Sequence, residues 1–144
     1  MIRALLFSIC LHLVANENYE FAGKHFIASF LECDAKALSD VDGLMKAMDD
    51  AVVSCGATVL DKAYYVFPPN GVTVVYLLSE SHASIHTYPE HGACFIDLFT
   101  CGNKPSAKIF DETLRAYLRP EKVEARYFLR QEKIDEIAYS IDQK

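Results

Sequence analysis

The sequence predicts an α+β two-layer sandwich: an antiparallel sheet with two helices on one face, in the order β-α-β-β-β-β-α-β. Three observations lead there. Two stretches carry apolar residues at helical spacing. Others are rich in β-branched and aromatic residues and bounded by turn signals. The four strands in the middle are joined by connections too short for a crossover, which favours antiparallel pairing.

The elements follow in order. Residues 25–31, HFIASFL, have strand composition. A helix comes next, with Ser39 as its cap and Asp42 three residues later as a near capping box. Val41, Leu44, Met45, Met48, Val52 and Cys55 recur on one helical face, and Gly56 stands where a left-handed residue ends it. The methionines read as core. Strands are predicted at about 57–67, 72–79, 83–87 and 93–100. Pro68, Pro69, Asn70 and Gly71 make one turn; Pro89, His91 and Gly92 make another. Pro105 opens the second helix in its first turn, Ile109, Phe110, Leu114 and Tyr117 form its apolar face, and Pro120 stops it. A last strand is expected at 122–129, followed by a charged, loosely held tail over 131–144. The helices cover one sheet face. Burial against a second copy in a homodimer is the simplest cover for the other.

Composition narrows the function. The 144 residues fit one domain, placed at 21–130, and the chain is 51% hydrophobic, enough for a real core. The net charge of −6 argues against nucleic acid as a partner. Five cysteines, an odd number without a Cys-x-x-Cys pair, argue against a disulfide framework or zinc ribbon. Reduced thiols in the cytoplasm is the plain reading. Residues 1–20 read as an N-terminal extension. Its apolar run is too short to cross a membrane, and His12 interrupts any signal-like core. No membrane partner is expected.

Chemistry concentrates in residues 79–102, SESHASIHTYPEHGACFIDLFTCG, with three of the five histidines and two of the five cysteines. Three readings compete. A metal could use His82, His86, His91, Cys94 or Cys101, but His82 and His86 lie four apart in a strand, about 13 Å. A serine hydrolase lacks the Gly-x-Ser-x-Gly elbow around Ser81. In the third reading the Ser81 hydroxyl attacks the carbonyl before it and turns the peptide into an ester. A base then eliminates across the serine to leave a dehydroalanine, which takes up water and loses ammonia to become a pyruvoyl group. That carbonyl forms a Schiff base with an amine and draws electrons from its α-carbon, with no metal and no pyridoxal phosphate.

The motifs Glu80-Ser81-His82, the run Ile85 to Glu90 (IHTYPE) and Phe99-Thr100-Cys101-Gly102 resemble the bacterial and archaeal class of S-adenosylmethionine decarboxylase. Gly23-x-His25, Gly56-Ala57-Thr58 and Gly71-Val72 fit the same pattern, and the resemblance covers roughly 22–120. It implies self-cleavage between Glu80 and Ser81, giving a β chain and an α chain that begins with a pyruvoyl cofactor from Ser81. It implies His86 as the processing base, Cys101 as proton donor to the α-carbon, Phe67 stacking on adenine and Glu90 binding the ribose. It implies sites at a homodimer interface, and a product that serves as the aminopropyl donor in making spermidine.

The chain departs from the pattern in places. Thr73 stands where a serine usually assists processing, keeping the oxygen but adding a methyl. Lys24 replaces an arginine. Residues 1–18 and the segment from Val123 lie outside the pattern. Two further readings stay open: the same chemistry on arginine or ornithine, and a non-processing regulatory relative. Phe67 and Glu90 favour a nucleoside. Cys33, Cys55 and Cys94 read as structural, His25 and His91 as surface or structural, and His82 as a neighbour of the cleavage site.

Overall fold

The computed structural model describes residues 21–138. Strand β1 (Gly23–Leu31) leads through the short helix α1 (Ala35–Ser39) into α2 (Val41–Ser54). Strands β2 (Val59–Phe67), β3 (Gly71–Leu78), β4 (Ser81–Tyr88) and β5 (Ala93–Cys101) follow, with one 3-10 turn at Pro89–His91. Helix α3 (Ala107–Leu118), β6 (Lys122–Arg130) and β7 (Ile134–Ile137) complete the described residues. All seven strands join one antiparallel sheet in the order β2-β3-β4-β5-β1-β6-β7.

The α+β sandwich is as expected, because the amphipathic helices have a single sheet face to bury against. Leu44, Met48 and Val52 of α2 and Phe110, Leu114 and Leu118 of α3 are buried. They meet Phe26, Phe30, Val74, Ile85 and Leu98 from the strands in one core. The Phe26 and Phe110 rings meet edge to face at 6.4 Å. Burying side chains of this size contributes about 1.5–3 kcal/mol each.

Several local expectations are corrected. Ser39 does not cap the long helix; it ends α1, and Asp40 caps α2 by accepting from the Gly43 N–H at 3.0 Å. A carboxylate there outcompetes a serine one residue earlier because Asp34 already caps the preceding turn through the Ala37 N–H. Pro105 lies before the cap of α3, which is Ser106. Ile109 points outward at 42% exposure, while Leu118, outside the predicted face, is buried. Residues 131–138 are not a loose tail. Gln131 N–H bonds Lys133 O at 3.0 Å, and β7 pairs with β6. The spacing of Ile134 and Ile137 has no period of two, so it carries no strand signal. The expectations for residues 1–20 and for the end of the tail lie outside the described residues. Among the described residues, no helix is long and apolar enough to cross a membrane.

Candidate active site

Strand alternation divides β4 between the two sheet faces. Ala83, Ile85 and Thr87 go to the helices and are buried; His82, Ser84 and His86 go to the open face. The pairing register builds rows across that face. One row holds Thr73, His86, Phe95 and Ser29. The next holds Val75, Ser84, Asp97 and Ile27, and the third Leu77, His82, Phe99 and His25. The face mixes exposed apolar groups (Ile27, Val75, Leu77, Phe95) with histidines and an aspartate.

The third row leads to the Glu80–Ser81 bond. Ser81 has φ of +150°, a region disfavoured for any residue with a side chain and costing on the order of 1–3 kcal/mol. Its hydroxyl lies 3.1 Å from His82 Nδ1. His82 Nε2 faces Asp97 Oδ1 at 3.8 Å, and Ser84 Oγ donates to Asp97 Oδ2 at 2.6 Å. The carbonyl oxygen of Glu80 accepts from the Cys101 N–H at 2.8 Å. The Glu80 carboxylate accepts from the Thr58 N–H at 3.0 Å. Burial works to raise that carboxyl, but the Thr58 and Ser79 bonds outweigh it and hold it below its ordinary value. Gly56-Ala57-Thr58 and Glu80-Ser81-His82, two motifs distant in sequence, therefore meet in space. Gly102, with φ of +83°, turns the chain just after Cys101.

His25, read from sequence as surface or structural, belongs to this cluster. Its ring lies 5.3 Å from Phe99 and 6.5 Å from His82. Arg130 sits over Phe99 at 4.5 Å and approaches His25 Nδ1 at 3.3 Å. Burial is the main cause that lowers the His25 imidazole; Arg130 and His82 add to it against the charge of Asp97. Its buried Nε2 has no hydrogen-bond partner among the described residues.

The other end of β4 is different. His86 Nδ1 and Thr73 Oγ1 share a hydrogen bond of 2.5 Å, so the threonine keeps its oxygen where it meets the imidazole. The His86 ring contacts Phe67 at 5.7 Å and Tyr88 at 4.5 Å. These residues, with Pro68, Gly71 and Glu90, line an open cleft of about 660 Å³. Phe67 is 42% exposed, at the end of β2 as its place before Pro68-Pro69 suggests.

Within one chain the site residues thus form two groups. Ser81, Glu80 and Cys101 lie at one end of β4; Phe67, Thr73, His86 and Glu90 lie at the other. The strand rise separates Ser81 from His86 by about 17 Å. Asp97, His25 and the Cys101 N–H were not among the residues singled out from sequence. Cys33, Cys55 and Cys94 are buried free thiols. Among the described residues, no group of three or more His, Cys, Asp or Glu side chains is placed to hold a metal ion.

Known proteins resemble this chain in sequence and in architecture. The family profile described as S-adenosylmethionine decarboxylase matches residues 24–131. The S-adenosylmethionine decarboxylase proenzyme of Methanococcus maripaludis is 43% identical over 102 residues, covering 71% of this chain and 84% of that protein. The proenzyme of the same name from Brevibacillus brevis is 41% identical over 113 residues, covering 78% and 85%. The crystal structure of the adenosylmethionine decarboxylase from Aquifex aeolicus superposes with a TM-score of 0.69 at 29% identity, covering 87% of this chain and 98% of that one.

Proposed function

The chain belongs to the S-adenosylmethionine decarboxylase family, and from that premise we propose that it cuts itself between Glu80 and Ser81 and then decarboxylates S-adenosylmethionine. The product is an aminopropyl donor for spermidine synthesis. The observation that carries the proposal is the state of the Glu80–Ser81 link. Its serine is conformationally strained, its carbonyl is gripped by the Cys101 N–H, and its hydroxyl faces a histidine. These are the features a self-cleaving serine needs.

The same residues fit a pyruvoyl group formed at position 81. When present, that group supplies an electrophilic carbonyl that accepts the substrate amine and draws electrons from its α-carbon. Cys101 lies beside it and holds the proton that replaces the departing carboxylate. Phe67 offers a ring face for the adenine, and Glu90 a carboxylate for the ribose hydroxyls. A simple amino acid substrate would use neither, which favours the nucleoside.

The two groups of site residues are about 17 Å apart, too far to act on one substrate. A second copy resolves this. A twofold axis crossing the open face near Ser84 sets two antiparallel β4 strands face to face. The Ser81 end of one chain then meets the His86 end of its partner, and the exposed Ile27, Val75, Leu77 and Phe95 are covered. Each complete site would combine Ser81 and Cys101 of one chain with Phe67, Thr73, His86 and Glu90 of the other. There Thr73 would orient His86 as the base of self-processing.

Denaturing mass spectrometry of the purified chain tests the cleavage. The expected result is two pieces, residues 1–80 and 81–144, the second starting with pyruvoyl in place of serine. Carbon dioxide release from S-adenosylmethionine, arginine and ornithine, measured side by side, tests the substrate. A single uncut chain, stable over days, would overturn the self-processing reading; release from arginine or ornithine alone would overturn the substrate.

A further inference from the structure

We infer that the first step of self-processing, transfer of the Glu80 acyl group from the Ser81 nitrogen to the Ser81 hydroxyl, is completed within one chain with His82 as its base. The inference rests on the self-cleavage reading and divides it into two steps with different requirements.

The geometry favours His82 over His86 for this step. The Ser81 hydroxyl lies 3.1 Å from His82 Nδ1. His86 is held by Thr73 at 2.5 Å, and about 17 Å of strand separates it from the serine of its own chain. The surroundings of His82 also choose its tautomer. Nε2 faces Asp97 Oδ1 at 3.8 Å, where an N–H is attracted and a lone pair is repelled. That leaves the Nδ1 lone pair for the serine. Asp97 cannot turn away easily, because Ser84 holds its second oxygen at 2.6 Å. Phe99 packs against the His82 ring at 5.6 Å. Asp97 is thus a positioning residue, and its negative charge stabilises the imidazolium that forms, as a carboxylate does behind a catalytic histidine.

The step balances as an isomerisation. The Ser81 oxygen attacks the Glu80 carbonyl carbon while His82 Nδ1 takes the hydroxyl proton. The carbonyl electron pair moves to oxygen, where the Cys101 N–H already donates at 2.8 Å. The carbon–nitrogen bond then breaks, and the imidazolium returns its proton to the leaving nitrogen. An ester and a free amine result, and no co-reactant is consumed. The strained Ser81 backbone is released in the same event. Only the later elimination needs a second base, and that base is the His86 of a partner.

Hydroxylamine separates the steps, because it cuts an ester at Ser81 and leaves an amide intact. In the full-length chain, His86→Ala is expected to accumulate a hydroxylamine-labile ester without completing cleavage. In that background, His82→Gln should slow ester formation about 100-fold, the usual size of a lost general base. His82→Ala should behave alike and regain at least about tenfold with added imidazole, which only a folded chain missing its base can do. In an otherwise wild-type chain, Asp97→Asn should slow ester formation about tenfold while sparing elimination, a split that loss of packing would not give. Ester formation within about threefold of the His86→Ala rate in the His82 variants would overturn the inference. So would slow formation that imidazole does not restore, or a His86→Ala chain that forms no ester while the wild-type chain cuts itself. If the wild-type chain neither cuts nor forms ester, the self-cleavage reading itself fails.

Discussion

At the Ser81 end of β4 the polar groups converge on a peptide bond, whereas five residues on, at His86, they line an open cleft. The first group is closed by backbone contacts: Cys101 N–H on the Glu80 carbonyl, Thr58 N–H on its carboxylate. The second is an arrangement of side chains, with Phe67 and Tyr88 flanking an imidazole that Thr73 fixes. On the proposed function, one end would strain and polarise a bond of its own chain and the other would recognise something from outside. A single strand carries both because its eight residues run from one end of the sheet to the other. Its length then keeps them from working together within one molecule.

Complementation is the strongest way to break that comparison. Ser81→Ala should abolish cleavage outright, and His86→Ala should block its completion by about 10²–10⁴-fold. A chain carrying Ser81→Ala still has the recognition end, and one carrying His86→Ala still has the bond. Mixed and refolded together, they should form dimers in which only the His86→Ala chain is cut, as mass spectrometry would read. A mixture in which no His86→Ala chain is cut, while refolded wild type cuts itself, would show that the ends are not shared between chains.

Cys101 sharpens the comparison, since its backbone and side chain serve different steps. The N–H holds the Glu80 carbonyl, while the thiol is assigned to the proton transfer after carbon dioxide leaves. Cys101→Ala should therefore process near the normal rate and yet lose about 10²-fold in kcat. A smaller effect is expected at the other end. Phe67→Leu and Glu90→Gln should leave processing unchanged and raise KM by about tenfold, since each removes one contact to the bound nucleoside. If either variant slows processing as much as turnover, the cleft is not a separate recognition surface.

Much of this was readable in the sequence, and the gaps have physical causes. Helical spacing located α2 and α3, and the turns bounded β2 to β5. The density of reactive residues between 79 and 102 pointed to the hairpin that carries the candidate site. The Ser39 cap failed because α1 is a single extra turn, and two adjacent turns compete for the same capping residues. Strand β7 failed because IDEI has no alternation and is ordered by pairing with β6. His25 and Asp97 were missed because their place beside His82 depends on register between strands far apart in sequence. The Cys101 N–H bond to Glu80 O is made by backbone, which no residue type announces. The strand rise that separates His82 from His86 also separates Ser81 from His86, so the split was implicit in the spacing.

The smallest effect belongs to the helix-facing side, where a polar network stabilises the fold and takes no part in the site. Tyr76 is fully buried, and its hydroxyl donates to Asp49 Oδ1 at 2.8 Å, where Lys62 also binds. Burial works to raise the Asp49 carboxyl; the bonds from Lys62 and Tyr76 outweigh it and hold it below its ordinary 3.8. A carboxyl lowered on folding adds stability that is complete above about pH 4 and is lost as pH falls through the lowered value. Asp49 is partly exposed, so solvent screening keeps this contribution below about 1 kcal/mol. Tyr76→Phe should cost about 1 kcal/mol in urea unfolding at neutral pH. The gap from wild type should narrow below about pH 4, where the carboxylate that Tyr76 supports is protonated. Cleavage at Ser81 should proceed unchanged. A Tyr76→Phe chain that folds normally but cuts slowly would tie this layer to the site and remove the separation on which the comparison of the two β4 ends depends.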